Sequence, residues 1–97
     1  MSIFATMRDT VQWESFEGEG EAPGEETFAD AVEITPARRI ETVTMLGADR
    51  TSNLIVWVPA DAGVKAQDRI DGADVLEVGV IRDSNSVPLV QVCYARA

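Results

Sequence analysis

Apolar and polar residues alternate along this chain in short stretches with a period of two, the mark of strands that bury one face. Val11 and Trp13 share one side of such a pattern with Met7, while Thr10 and Gln12 take the other, which predicts a first strand over Thr10–Ser15. Val32 and Ile34 resume the alternation until Pro36 interrupts it. Arg38 to Met45 is a third extended segment of mixed phase: Ile40 faces one way, Val43 and Met45 the other, as in a bulged strand or one contacted on both faces. Gly47, Ala48 and Asp49 then supply a turn.

Leu54 to Val58 is apolar at every position and stops at Pro59. Continuous apolarity implies cover on both faces, with the core on one side and, in a chain with no long helical pattern, another subunit on the other. Asp61 to Gln67 reads as a loop with Gly63 as its flexible point, followed by a short strand at Arg69-Ile70 and a tight turn at Asp71-Gly72. Val75 to Ile81 sets Leu76, Val78 and Val80 against Val75, Glu77, Gly79 and Ile81. Pro88 to Ala95 sets Val90, Val92 and Tyr94 against Leu89, Gln91, Cys93 and Ala95, and the two segments pair antiparallel across Arg82–Val87. The expected fold is all-β: one domain over residues 1–97, a small antiparallel barrel of about six short strands, whose closure protects the strand edges.

One segment departs from this regime. Between Glu14 and Glu33 stand eight acids and no base, punctuated by Gly18, Gly20, Pro23 and Gly24. Repulsion among like charges and the breaker residues together predict a flexible acidic loop over 16–31, between the first two strands. It is open to three readings: a solvated surface loop, a loop that orders on assembly, or a cation site. The acid spacing from Glu17 to Glu26 does not follow the pattern of a calcium-binding loop.

Composition narrows the function. Seventeen acids against eight bases give a net charge of −9, and the scattered arginines offer no patch for gripping phosphates. An acidic wall nevertheless suits a protein that works beside DNA, because a polyanion passes it without sticking. Cys93 is the only cysteine, so neither an internal disulfide nor a cysteine zinc site is expected, and a reducing, cytoplasmic setting fits. No apolar run approaches membrane-spanning length, and MSIFATMRDT does not read as a signal peptide.

Candidate chemistry is sparse. The chain has no histidine, hence no Ser–His–Asp or Cys–His arrangement and none of the commonest neutral metal ligand. Cys93, between Val92 and Tyr94, reads as a structural thiol. Glu25-Glu26 lies where water screens both carboxylates, and no glycine-rich stretch has phosphate-binding form. A non-enzymatic protein without cofactor or metal is the expectation. Trp57 is either core or a contact anchor, and Trp13 is core. Asp68-Arg69 forms a turn in which the carboxylate accepts local backbone N–H groups, or else an intersubunit ion pair. Arg38 and Arg39 are natural counter-charges for the acidic loop, within one subunit or across an interface. Ile55, Trp57, Arg38, Arg39, Asp68 and Arg69 are the candidate interface residues.

The order of these segments resembles a known family. Asp9-Thr10-Val11-Gln12-Trp13-Glu14 opens into a long polar loop; Arg39-Ile40-Glu41 follows; then come Val64-Lys65-Ala66-Gln67-Asp68-Arg69-Ile70, Asp71-Gly72, Val75 to Arg82 and Leu89-Val90-Gln91-Val92-Cys93-Tyr94. This resembles the head-closure, or stopper, proteins of the head-to-tail connector in tailed bacteriophages, a group that includes the small head–tail joining proteins. The resemblance covers nearly the whole chain, through short motifs. It implies a small β-barrel that assembles with itself into a ring of six or twelve copies in the virion neck, built in the cytoplasm of the bacterial host. A portal or adaptor protein would lie above it and a tail terminator or tail tube protein below. Double-stranded DNA would pass nearby without specific binding, and no membrane is involved.

Carried over by position, Phe16 to Ala31 is the lumen or gating loop, with Glu17, Glu19, Glu21, Glu25, Glu26 and Asp30 its charged residues. Relatives often have glycine directly before the Asp–Arg pair; this chain has Gln67, which implies a turn built differently. A strongly acidic loop facing a channel acts by steric closure and repulsion of DNA rather than by grip. Two other readings stand beside this one: a different neck, adaptor or tail-completion subunit, and a monomeric acidic module that mimics DNA.

Overall fold

The computed structural model describes residues 6–47 and 50–97. The strands are β1 (Asp9–Glu14), β2 (Phe16–Glu19), β3 (Glu26–Phe28), β4 (Val32–Leu46), β5 (Arg50–Pro59), β6 (Arg69–Ile70), β7 (Ala73–Arg82) and β8 (Pro88–Arg96). Six of them close into a barrel in the order β1-β4-β5-β8-β7-β6, with β6 returning to β1 and every neighbour antiparallel. Closure pairs the edges that an open sheet of this size would leave exposed. The all-β barrel expected from the alternation is therefore the observed fold.

The core is built largely of β-branched and small side chains, among them Val11, Val56, Val58, Ile70, Val75 and Cys93, which fit the narrow interior of a six-stranded barrel. Each fully buried valine or isoleucine contributes about 1.5–3 kcal/mol by leaving water. Val64, from the loop after β5, plugs one end. Gln91 holds it there: its Oε1 accepts the Gly63 and Val64 amides at 3.1 and 3.0 Å, and its Nε2 donates to the Val64 carbonyl. Ser52 is the buried hydroxyl of the interior, 2.9 Å from the carbonyl oxygens of both Leu54 and Ala95.

Three irregularities decide which side chains reach that core. Pro36 does not end a strand, as its position suggested. β4 runs through it with a cis Thr35–Pro36 peptide, and the ladder to β1 shifts register between Asp9 and Val11. Proline lacks a donor, and a bulge is where a ladder tolerates that loss. A second shift, between Glu41 and Thr44, is a bulge, one of the two readings that the mixed phase of Arg38–Met45 allowed. A third, between Val75 and Glu77, overturns the strict alternation read for β7: Val75 belongs to the core and Val78 packs against it, although simple alternation put them on opposite faces.

At roughly 3.4 Å per residue β4 spans about 50 Å, and the molecule measures 49 Å along its longest axis. The distal half of β4 pairs with the start of β5 as an arm that continues past the barrel. Gly47 takes φ 69° at the end of β4; the rest of the turn expected there, Ala48 and Asp49, lies outside the described residues. The Asp71-Gly72 turn is as expected, with φ 50° and 80°, the left-handed pair that joins β6 to β7 through two residues.

Candidate interaction surfaces

The acidic segment is not structureless. Residues expected to form a loop without regular structure contain β2 and β3, which pair as a separate two-stranded sheet with Phe16 opposite Phe28 and Glu19 opposite Glu26. The breaker residues shape this hairpin rather than prevent it. Gly18, at φ 108°, lies at the register shift between Phe16 and Gly18. At the tip, Gly20 donates to the Glu25 carbonyl at 2.7 Å, while the Glu25 carboxylate accepts the Ala22 amide at 3.1 Å. Phe16 and Phe28 meet edge to face at 5.6 Å, giving the hairpin a small apolar base.

Two links fasten that base to the barrel. Asp68 is 3% exposed, and its carboxylate accepts three N–H groups: Trp13 Nε1 at 2.9 Å, Phe16 at 2.8 Å and Lys65 at 2.9 Å. The Lys65 bond is the local turn contact expected of Asp68. The other two cross the chain and set the corner between β1 and β2. With its carboxylate committed inside its own subunit, Asp68 is not available for an intersubunit pair. Arg69 is the second link: its guanidinium lies 4.0 Å over the Phe28 ring and pairs with Asp74 at 3.2 Å and Glu26 at 3.8 Å. Both interface candidates thus serve their own chain in these contacts.

Gln67, directly before Asp68-Arg69, adopts φ 80°, the left-handed conformation that glycine takes without cost.

Arg38 and Arg39 were expected to neutralise the acidic segment. Within the chain neither does. Arg39 pairs with Asp71 at 3.4 Å and Glu41 at 3.7 Å, beside a shallow polar cleft of about 360 Å³ that also includes Asp9 and Thr10. The guanidinium supplies the positive charge among those carboxylates, and the described residues contain no cluster of three or more acidic, cysteine or histidine groups suited to a metal. Arg38 lies over the Trp57 ring at 5.3 Å. Glu17, Glu19, Glu21 and Asp30 have no ion pair among the described residues.

Trp57 resolves toward the outside of the barrel. Leu54, Val56 and Val58 point inward, so Ile55 and Trp57, half-buried, lie on the outer face. The registers align them in two rows across the sheet. One runs Ile40, Ile55, Tyr94 and Glu77; the other runs Arg38, Trp57, Val92 and Gly79. Val90 and Val92 are buried yet stand outside the interior cluster, so this outer face has a small apolar patch of its own. Nothing lies within 4 Å of where a Gly79 Cβ would be, which leaves open space beside Val92. On the arm, Val43 and Met45 are 79% and 63% exposed. Sequence alone marked Ile55, Trp57 and Arg38, but not Ile40, Tyr94 or Gly79, whose membership depends on strand register.

Trp13 packs against the core as expected, with its indole nitrogen turned to Asp68. Cys93 is fully buried, and its thiol is pushed up to about 12, first by burial and then by the negative charge of Asp68. An open cleft of about 340 Å³ between the arm and the hairpin is lined by Glu26, Arg50, Gln67 and Asp74 among others.

Fold and surfaces together define the class: a closed six-stranded antiparallel barrel with an acidic hairpin on one side and an apolar outer patch on another. Comparison with protein-family models, curated proteins and solved structures finds no match to this chain.

Proposed function

We propose that this chain is a structural ring subunit of a tailed-bacteriophage head-to-tail connector, closing the head after DNA packaging and offering the tail its docking surface. The observation that carries this reading is the β2–β3 hairpin: a discrete element directly after the first strand, at the position that the resemblance to stopper proteins assigns to the channel loop, with most of its acids lacking a counter-charge. Elements of that kind are poor anchors for nucleic acid and good barriers to it, since charge repulsion and bulk act in the same direction. The barrel gives the hairpin a fixed origin through Asp68 and Arg69, so that copies around a ring would present it alike.

Deleting Glu17–Glu26 behind a short glycine link tests the gating role. The barrel strands pair without β2 and β3, so the chain is expected to fold and to assemble into necks, while packaged DNA escapes from the heads. Full retention of DNA by particles carrying the deletion would overturn the gating role. Mass measurement of the assembled ring tests the subunit role, with six or twelve copies expected; particles that lack the chain altogether would overturn it.

A further inference from the structure

We infer that copies of this chain join by strand addition: the open edge of β4 beyond Arg39 in one copy pairs antiparallel with the open edge of β7 beyond Val75 in the next. This rests on the reading of the chain as a ring subunit and names the backbone edges that link one subunit to its neighbour.

Barrel closure runs through two short strands, and each leaves a longer neighbour partly unpaired. β1 reaches β4 only as far as Ala37, beyond which the Asp9 carboxylate takes the Arg39 amide at 2.8 Å. From Ile40 to Leu46, β4 has β5 as its one strand partner among the described residues. On the other flank, β6 pairs with β7 at Ala73 and Asp74, and Val75 bonds to the backbone of Gln67 and Asp68. From Glu77 to Arg82, β7 has β8 as its one strand partner among the described residues. Unpaired edges of this length are templates for a further strand.

Side chains mark the same two edges. Val43 and Met45 are exposed on the open half of β4, Val80 on that of β7 and Val87 in the turn after it; of the other large apolar residues described, only Val32 is as exposed. Val80 follows Val78 on the inward face, where Val78 packs against the core, yet Val80 is 45% exposed because no described strand walls it on the open side. Gly79 lies between them with nothing within 4 Å of its Cβ position. Glycine inside a strand often marks the close approach of another backbone.

Topology and charge make the contact heterologous. β4 and β7 run antiparallel in the barrel, and each is open along its C-terminal half, so the two open edges lie at opposite ends of the molecule. Antiparallel addition that sets Val43 opposite Val80 also sets Met45 opposite Val78 and brings Glu41 beside Arg82. Glu41 is well exposed, with Arg39 at 3.7 Å as its ion pair. Arg82 donates one N–H to the Ser86 carbonyl and has no carboxylate partner among the described residues. Pairing like with like is poorer: β4 against β4 about Val43 sets Glu41 against Met45, and β7 against β7 about Val80 brings Glu77 to Asp83. Unlike edges joined head to tail repeat from copy to copy and close into a ring.

The test is disulfide capture across the junction, on the full chain in solution and on assembled necks that carry it. Residues directly opposite in an antiparallel pair have Cβ atoms about 5 Å apart, within reach of a disulfide. Val43→Cys and Val80→Cys mixed one to one are expected to give a covalent dimer under mild oxidation. Neither does so alone, nor does the wild type, whose Cys93 is buried. Both substitutions in one chain should give a ladder of covalent oligomers that ends at the ring number. Arg82→Glu, which leaves the edge residues native, is expected to raise the concentration for half assembly about tenfold, and Glu41→Arg added to it to restore assembly. Circular dichroism verifies each fold. Rings that form without the cross-link between positions 43 and 80, or at the wild-type concentration in Arg82→Glu, would overturn these edges while leaving the ring reading intact. A strand of another neck protein on either edge would likewise leave the two positions unlinked in necks. Copies that stay monomeric in assembled necks would overturn the ring reading and these edges together.

Discussion

The indole Nε1 of Trp13 donates a 2.9 Å hydrogen bond to the carboxylate of Asp68, 55 residues further along the chain. That carboxylate also accepts the Phe16 and Lys65 amides, so one buried acid fixes the end of β1, the start of the hairpin and the loop that plugs the barrel. Asp68→Asn retains the shape but replaces one acceptor oxygen with a donor, and is expected to cost about 2–3 kcal/mol in denaturant unfolding. Trp13→Phe removes one donor and costs about 1–2 kcal/mol. The double variant should fall short of the sum, because the second change no longer has a partner to lose; strict additivity would show that the pair does not couple.

Backbone strain at Gln67 gives a prediction of opposite sign. With φ at 80°, a side chain there is held where glycine sits freely. Gln67→Gly is expected to stabilise the chain by about 0.5–1 kcal/mol, the conformational relief exceeding the added freedom of the unfolded state. Gly72→Ala, at φ 80° in the β6–β7 turn, should destabilise by about 1 kcal/mol or more. Thermal unfolding of both variants checks the pair of signs.

Arg69 should govern the hairpin more than the barrel. It covers Phe28 and pairs with Glu26, while also reaching Asp74. In Arg69→Ala, amide exchange over residues 16–28 is expected to quicken by at least tenfold, with the β5 and β8 amides still protected. Equal acceleration throughout would mean that the arginine stabilises the whole fold instead.

Cys93 makes stability sensitive to alkali. Its thiol is raised from an ordinary 9.0 to about 12 in the folded chain, chiefly by burial. Above the ordinary value the unfolded chain releases this proton while the folded chain keeps it, so the contribution is intact below pH 9 and declines as pH rises toward 12. The folding constant should fall by about tenfold per pH unit through that window from this group alone. Comparing wild type with Cys93→Ala isolates it from lysine and tyrosine titration. Thiol reagents should leave native Cys93 unmodified at neutral pH, since thiolate is the reactive form.

Period-two alternation at Val11-Gln12-Trp13 and in β8, with the short continuous apolar run Leu54–Val58, was enough to define an all-β chain, because a strand that buries one face writes that face into every second residue and one covered on both faces is apolar throughout. The Asp71-Gly72 turn was equally legible, and the bulge near Val43 and the local role of Asp68 were each one of two readings, all resting on chemistry between near neighbours. Tertiary structure alone decided the rest. Val75 and Val78 share the interior only because a bulge changes the register. Trp57 stands outside because Leu54, Val56 and Val58 took the inside. Charge counting assigned Arg38 and Arg39 to the acidic segment, yet Arg69 reaches it, since β6 is the strand that returns to β1. The hairpin within that segment was hidden because its composition records repulsion and flexibility, whereas its order depends on Phe16, Phe28 and an aspartate far along the chain. Local periodicity fixes which residues are buried as strands; only closure of the barrel fixes which distant ones meet.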